Sequence, residues 1–387
     1  MFFKTDEELT DLGALITTRE IEQQPKLWQE TFDIYQKNQE EINKFINDFA
    51  KESQQKVRVV FTGAGTSAYV GDVVKPHLVR YGDNERFIFE AIPTTDIVAA
   101  PYDYLKPEEP TILVSFARSG NSPESVATVD IANQVVKNLR HLIITCAPEG
   151  QLAQSGAQDD KAFVMLMPAL SNDKGFAMTG SFTCMTLASL LVFDDTHTNK
   201  AEMVEQMSAM GEQGIKLENE IKSLVDLEFN RVVYLGSGAL SGLTREAQLK
   251  LLELTAGQVT TAFDSSLGFR HGPKSFVDEK TLVFTFISND AYTAQYDVDI
   301  LEEIKGNEIA VATVGIAQNT TTYSGQSMII ESEQLLPDAY LALPYIVIAQ
   351  TFALLTSVKV ENKPDTPSPT GTVNRVVQGV IIHELNK

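Results

Sequence analysis

Cysteine is almost missing from this chain: its 387 residues hold two, Cys146 and Cys184, with no CxxC spacing. That argues against a disulfide framework or a cysteine-built zinc site and predicts two buried, reduced thiols. Positive charge is scarce as well, with 31 Lys+Arg against 52 Asp+Glu and a formal net charge of −21. Nucleic-acid binding requires a basic footprint, so no nucleic-acid partner is expected. A site for a small phosphate must be built locally from backbone N–H groups, hydroxyls and a few cations. There is no GxxxxGK[ST] motif, and the first GxG lacks the third glycine of a dinucleotide fingerprint, which disfavours ATP and nicotinamide cofactors. Long apolar runs are missing except Leu341 to Val358, which Pro344, Gln350, Thr351, Thr356 and Ser357 interrupt. It reads as a buried helix, and no membrane partner is expected. The first residues, MFFKTDEELTDLG, turn acidic at once and lack the apolar centre of a signal peptide, so the expected location is the cytoplasm.

The composition that remains, 43% apolar and 21% charged, is that of a globular protein long enough for two domains. Residues 1–50 read as helices, with Pro25 separating at least two of them. From Val57 onward, short β-branched runs alternate with helical stretches. Strands are predicted at Val57–Phe61, Phe87–Glu90, Thr111–Phe116, His141–Thr145 and Ala162–Leu166, and helices at Ser67–Val79 and Pro123–Lys137. This rhythm predicts an α/β fold with mostly parallel sheets covered by helices on both faces. VVFTGAG at Val59 returns as VVYLGSG at Val232, 173 positions later. Further strands are predicted at Thr281–Ile287, Glu308–Val314 and Met328–Glu331. The expected organisation is a helical segment 1–50, a first α/β domain 51–195, a second 196–360 and a tail 361–387. The Pro/Thr/Ser-rich tail is either a loose terminus or a segment folded back over a site.

Four segments carry candidate chemistry. Thr62-Gly63-Ala64-Gly65-Thr66-Ser67 lies between a strand and a helix, where glycines admit a ligand to the backbone and Thr66 and Ser67 add hydroxyls. Ser115 to Glu124, SFARSGNSPE, repeats the setting and packs Arg118, Ser119, Gly120 and Ser122 into one turn. Ser122 and Pro123 read as N-cap and first helical residue, but capping does not call for Arg118, Ser119 and Gly120 as well. Together the two turns predict a phosphate cradle at the carboxyl ends of neighbouring strands, with ordinary turns as the alternative. In the second half the matching strand ends in Ser288-Asn289-Asp290-Ala291, which carries an acid, so only one domain is expected to hold phosphate.

Within Thr244–Thr255, Lys250 and Glu253 share a helix face. They are either a solvated ion pair or, among Leu249, Leu251, Leu252 and Leu254, a mostly buried acid/base pair. Phe269-Arg270-His271-Gly272-Pro273-Lys274 holds the one histidine set in a loop with glycine, proline and two cations. An imidazole titrating near neutral pH suits proton transfer there. His77, His141 and His383 lie in regular apolar segments and His197 in a polar linker, so they read as structural or solvated. No second histidine or carboxylate stands at ligand spacing from His271, so no metal is expected.

These residues resemble a known family. GAGTS, SFARSGNS, the duplicated halves and KLLEL followed by FRHGP are similar to tandem sugar-isomerase (SIS) proteins, including the isomerase half of glucosamine-6-phosphate synthase. EIEQQPKLW at Glu20 is similar to the segment that precedes that half. LKLLELTAGQV, GFRHGPKS and SPTGTVNRVVQGVIIH resemble the galactosamine-6-phosphate deaminase or tagatose-6-phosphate ketose/aldose isomerase group most, over roughly residues 18 to 384. The resemblance implies two tandem SIS domains. It assigns phosphate binding to Gly65, Thr66, Ser67, Arg118, Ser119, Gly120 and Ser122, and the C1/C2 proton shuttle to Glu253 beside Lys250. It gives His271 a part in ring opening across a homodimer interface. The chain departs from the pattern at Ala117, commonly serine, at Arg118, commonly glutamine, and at Arg375, where the synthases carry a lysine. The expected activity is deamination with isomerisation of a phosphorylated amino sugar, with Arg375 and Lys250 steadying an enolate oxygen. No cofactor is expected, because the substrate carbonyl is the electron sink. The alternatives are ketose/aldose isomerisation without ammonia release and a non-catalytic phosphosugar sensor. No glutaminase segment precedes the pair of domains, so ammonia release is expected rather than ammonia supply.

Overall fold

The structure, a computed structural model, describes residues 1–377 and 379–385. The elements run α1 Asp6–Asp11, α2 Leu15–Glu22, α3 Gln24–Glu52, β1 Val57–Thr62, α4 Thr66–Tyr81, β2 Phe87–Ala91, α5 Thr94–Ala99, α6 Pro101–Tyr104, β3 Thr111–Ala117, α7 Pro123–Val135, β4 Leu139–Thr145, α8 Gln151–Gly156, β5 Ala162–Leu166 and α9 Gly180–Phe193. They continue with α10 Lys200–Lys216, α11 Glu218–Val225, β6 Arg231–Gly236, α12 Ala239–Leu254, β7 Thr260–Ser265, β8 Thr281–Phe286, α13 Ala291–Gly306, β9 Ala312–Gln318, β10 Gln326–Ile330 and α14 Asp338–Lys359. The chain divides into two compact units. One holds the first sheet and comprises residues 27–173, 180–200 and 373–387; the other holds the second sheet and comprises 1–26, 174–179 and 201–372. Gln378, Asn386 and Lys387 of the expected tail lie outside the described residues.

Both sheets are five-stranded and fully parallel, in the orders β2-β1-β3-β4-β5 and β10-β9-β8-β6-β7. The order is the same in each once β6 is matched to β1, as the VVFTGAG/VVYLGSG repeat expects. Central strands covered on both faces explain the unbroken apolar runs: every residue of β1, β3 and β8 is buried. Pro25 stands in the first turn of α3, where its missing N–H costs nothing. The strand expected at Glu308–Val314 begins four residues later, at Ala312. Asn307 caps α13 and Glu308 takes φ 54°, so these residues close a helix and cannot extend a strand. Strand β7 escapes the sequence pattern because TTAFDS, an edge strand, has no fully buried residue. The apolar run at Leu341 lies in α14, the one described helix long and apolar enough to cross a membrane. Its most apolar stretch is 89% buried inside the protein, and the helix packs along α12 and α11. Both cysteines are free and buried, and burial pushes the Cys146 thiol up to about 12.

His141 lies within β4 of the first sheet, with Nε2 3.0 Å from Asn133 Oδ1. Burial pulls its ring from the ordinary 6.5 down to about 4. The unfolded chain therefore binds a proton that the folded one refuses. Stability from this group is full above pH 6.5 and is lost as pH falls toward 4, by about 3 kcal/mol in total. His141→Gln, which keeps a donor for Asn133 and does not titrate, should flatten the fall in urea-unfolding stability between pH 6.5 and 4; an unchanged slope would contradict the assignment.

Candidate active site

The first sheet reverses its strand order between β1 and β3, and Thr62 and Ser115 are paired there in register. The turns that follow open at the same end of neighbouring strands, where open α/β sheets take ligands. A Cβ at Gly63 would stand 2.6 Å from Ser67, so only glycine fits. Gly65 caps α4 at φ 56° and ψ −130°, a conformation side chains resist. Thr66 and Ser67 then fall in the first helical turn, both buried. In the β3 turn Gly120 takes φ 69° and its carbonyl accepts the Leu152 N–H at 3.1 Å. The Ser119 hydroxyl accepts the Asn121 N–H at 3.3 Å. Ser122 holds the N-cap position with Pro123 after it, but its hydroxyl does not cap. The Ser125 N–H turns to the Ser122 carbonyl at 3.0 Å instead, which corrects the expected capping role of the side chain.

The tail reaches this end of the first sheet. Arg118, 7% exposed, donates from Nη2 to the Arg375 carbonyl at 2.6 Å. The Arg375 guanidinium donates to Asn172 Oδ1 at 3.1 Å and, from Nε, to the Asp173 carbonyl at 2.9 Å. Asp173 is fully buried, and its carboxylate accepts the N–H groups of Gly180 and Ser181 at the start of α9. Arg375 thus belongs with the turn after β3, its guanidinium held by Asn172 and Asp173. Asp173 carries no motif, and sequence reading passed over it.

In the second-sheet unit, α12 begins at Gly238 with φ 57° and ψ −126°, repeating Gly65. Lys250, 1% exposed, lies 2.7 Å from Glu253 Oε2 and 3.4 Å from Glu246 Oε1. Glu246 is fully buried, whereas the Glu253 side chain keeps 23% exposure. One buried ammonium therefore bridges an inner carboxylate and an outer one that stays partly open to solvent. Glu246 was not singled out from the sequence, although its place four residues before Lys250 on the same face was available to find it. His271 follows a short 3-10 turn at Gly268–Arg270, is exposed, and has no carboxylate at ion-pair distance among the described residues. Its flanking cations are both tied to Glu303 of α13, Arg270 Nε at 2.7 Å and Lys274 Nζ by a short ion pair. Those contacts, Lys274 first, hold the Glu303 carboxyl below its ordinary range.

Sequence reading also missed a second histidine grouping. His77 Nε2 and His197 Nδ1 both meet Asp194 Oδ2 at 2.7 Å, in the first-sheet unit. Burial would push Asp194 up, but the bond and charge of His77, with help from His197, hold it at about 2. The three donor atoms lie within 4.8 Å of one another, a set that could take a metal ion. Their 2.7 Å separations are hydrogen-bond lengths, and this carboxylate braces the end of α9 against α4.

The SIS domain family matches residues 53–193, which contain the turns after β1 and β3. The C-terminal domain of glucosamine-fructose-6-phosphate aminotransferase from Francisella tularensis has the same fold, with a TM-score of 0.72 at 16% identity over 89% of this chain and 96% of that one. The fold and its strand-end turns define a SIS-domain protein. D-galactosamine-6-phosphate deaminase AgaS of Escherichia coli is 42% identical over 381 residues, 95% of each chain. The structure of tagatose-6-phosphate ketose/aldose isomerase from Escherichia coli aligns with a TM-score of 0.88 at 39% identity, over 96% of this chain and 97% of that one. The chain belongs to the AgaS family of SIS-domain enzymes.

Removing Lys250 takes the ammonium away from the buried Glu246 carboxylate. Lys250→Met should cost about 3–5 kcal/mol in urea unfolding, while Glu253→Gln, at the accessible edge, should leave the unfolding midpoint almost in place. Equal destabilisation by the two would show that Glu253 is a core residue and not a reachable one.

Proposed function

We propose that the chain converts galactosamine 6-phosphate and water to tagatose 6-phosphate and ammonia. The observation that carries this reading is the Glu253 carboxylate, accessible and 2.7 Å from the buried Lys250 ammonium. The likeness to AgaS over nearly the whole chain supports the choice of substrate. In this reading residues 51–195 form the phosphate-holding SIS domain, through Gly65, Thr66, Ser67, Arg118, Ser119, Gly120 and Ser122. Residues 196–360 form the domain that moves protons. The tail 361–387 contributes Arg375, whose carbonyl steadies Arg118.

His271 assists opening of the pyranose to the aldehyde. Glu253 then removes the proton from C2, and the electron pair moves into the C1 carbonyl to give an enolamine. Lys250 steadies the oxygen that gains charge. Return of a proton at C1 gives a C2 imine, and water displaces ammonia to leave the ketose. The substrate's carbonyl accepts the electrons, so the reading calls for no redox cofactor. The exposure of His271 without a carboxylate neighbour supports its service to a second subunit, and the working unit in this reading is a homodimer. Two free, buried cysteines suit the reducing cytoplasm in which we place it.

The likeness to tagatose-6-phosphate ketose/aldose isomerase favours one second reading, the same proton shuttle without loss of nitrogen. Ammonia measured from galactosamine 6-phosphate and glucosamine 6-phosphate separates the two. Release from the galacto epimer, abolished in Glu253→Gln while phosphosugar binding persists, is expected; interconversion of tagatose 6-phosphate without ammonia would select the isomerase. Mixing Glu253→Gln with His271→Ala, each inactive alone, should restore activity in mixed dimers that contain one intact site. No recovery after verified subunit exchange would place both residues in a site made by one subunit.

A further inference from the structure

The second sheet has its own chain reversal, between β6 and β8, and the turns after its strands are built like those of the first. A Cβ at Gly236 would meet the Leu240 carbonyl oxygen at 2.8 Å, as one at Gly63 would meet Ser67. Gly238 repeats the backbone of Gly65. Such a crevice gathers donors and suits an anion. Here it is occupied by the protein's own carboxylate. Asp297, on α13 and fully buried, accepts the Ser237 hydroxyl at 2.6 Å and the Ser266 hydroxyl at 2.5 Å on Oδ1. Its Oδ2 accepts the Ser288 N–H at 3.0 Å. The donors come from the turns after β6, β7 and β8, one from each. Asp338, at the start of α14, takes the next donors of the β8 turn, the Ser288 hydroxyl at 2.6 Å and the Asn289 N–H at 2.9 Å.

Two of the three turns held by Asp297 lead to residues of the proposed chemistry. Ser237 immediately precedes the Gly238 cap of α12, which carries Lys250 and Glu253. Ser266 stands five residues before His271. Helix α13 grips the same loop again through Glu303, bonded to Arg270 and Lys274.

We infer that Asp297 is a positioning residue for the deamination: an internal anion in the crevice of the second sheet that fixes α12 relative to the His271 loop. The inference rests on the proposed function for the roles of Glu253 and His271, and on the hydrogen bonds alone for the holding. The carboxylate form is the strong acceptor for all three donors, whereas a proton on Oδ2 leaves the Ser288 N–H only the weaker acceptor of a hydroxyl and sets an O–H donor beside it. Burial raises this carboxyl to about 6, against the pull of the Ser237, Ser266 and Ser288 bonds and with help from the Asp338 charge. Tyr345, on α14 with Asp338, also lies in its field, and burial keeps that phenol protonated.

The test compares wild type with Asp297→Asn, and with Ser266→Ala as a milder variant that removes one donor. Asp297→Asn should lower kcat for ammonia release about 100-fold with little change in KM, the pattern of misplaced reacting groups with the phosphate grip intact. Wild-type kcat should fall as pH drops through about 6, and the variant should lack that limb. Amide hydrogen exchange should quicken in residues 236–245 and 265–275 and stay unchanged in β1 to β5. Unchanged exchange in both segments, or kcat within about twofold of wild type, overturns the inference. If Asp297→Asn does not fold, Ser266→Ala must show the same pattern, weaker and centred on 265–275, or the inference fails. If wild type neither releases ammonia nor isomerises tagatose 6-phosphate, the functional reading fails by itself. Exchange then decides the holding role alone: faster exchange keeps it and unchanged exchange removes it.

Discussion

An open parallel sheet whose strand order reverses leaves turns at one end, with backbone N–H groups and hydroxyls gathered and no strand to receive them. Negative charge is what satisfies such a crevice. The chain builds this arrangement twice with one set of rules. A glycine with no room for a Cβ comes first, a second follows at positive φ, and a helix starts directly after it. In the second sheet Asp297 and Asp338 supply the charge from within. In the first, the matching turns carry Arg118, Ser119 and Ser122, and Arg118 donates to the Arg375 carbonyl.

Helix α12 depends on the same economy of buried charge. Lys250 loses its hydration almost entirely, which is tolerable because two carboxylates on its own helix flank it, one inside and one at the edge. Glu246 holds the ammonium in place, so Glu253 need not be its sole partner and keeps a face toward solvent. Spacings of four and three along one helix are enough to make this triad.

The parallel sheets, the repeat, the helix at Leu341 and the turns at Gly63 and Arg118 were readable from the sequence, because each is a local pattern: continuous apolar strands, a recurring GxG, a run of hydroxyls after a strand. Strand β7 was not, since an edge strand with no buried face leaves no periodicity. The start of β9 was displaced because Ile309 and Val311 extend the β-branched run toward a residue, Glu308, that follows the helix cap at positive φ. Lys250, Glu253 and His271 stood out by residue type and setting. Asp297 and Asp173 did not, because their meaning lies in bonds to residues 9 to 60 positions away for the former and to the tail for the latter. Long-range hydrogen bonds to turns leave no spacing rule behind.

Asp297 also bears on how a duplicated domain diverges. A copy that keeps an anion crevice remains tied to whatever fills it, because loss of the ligand leaves donors unanswered. Once an aspartate on the copy's own helix fills the crevice, that copy no longer relies on any metabolite for its integrity, and its remaining surface is free to change. The second half of this chain has that independence.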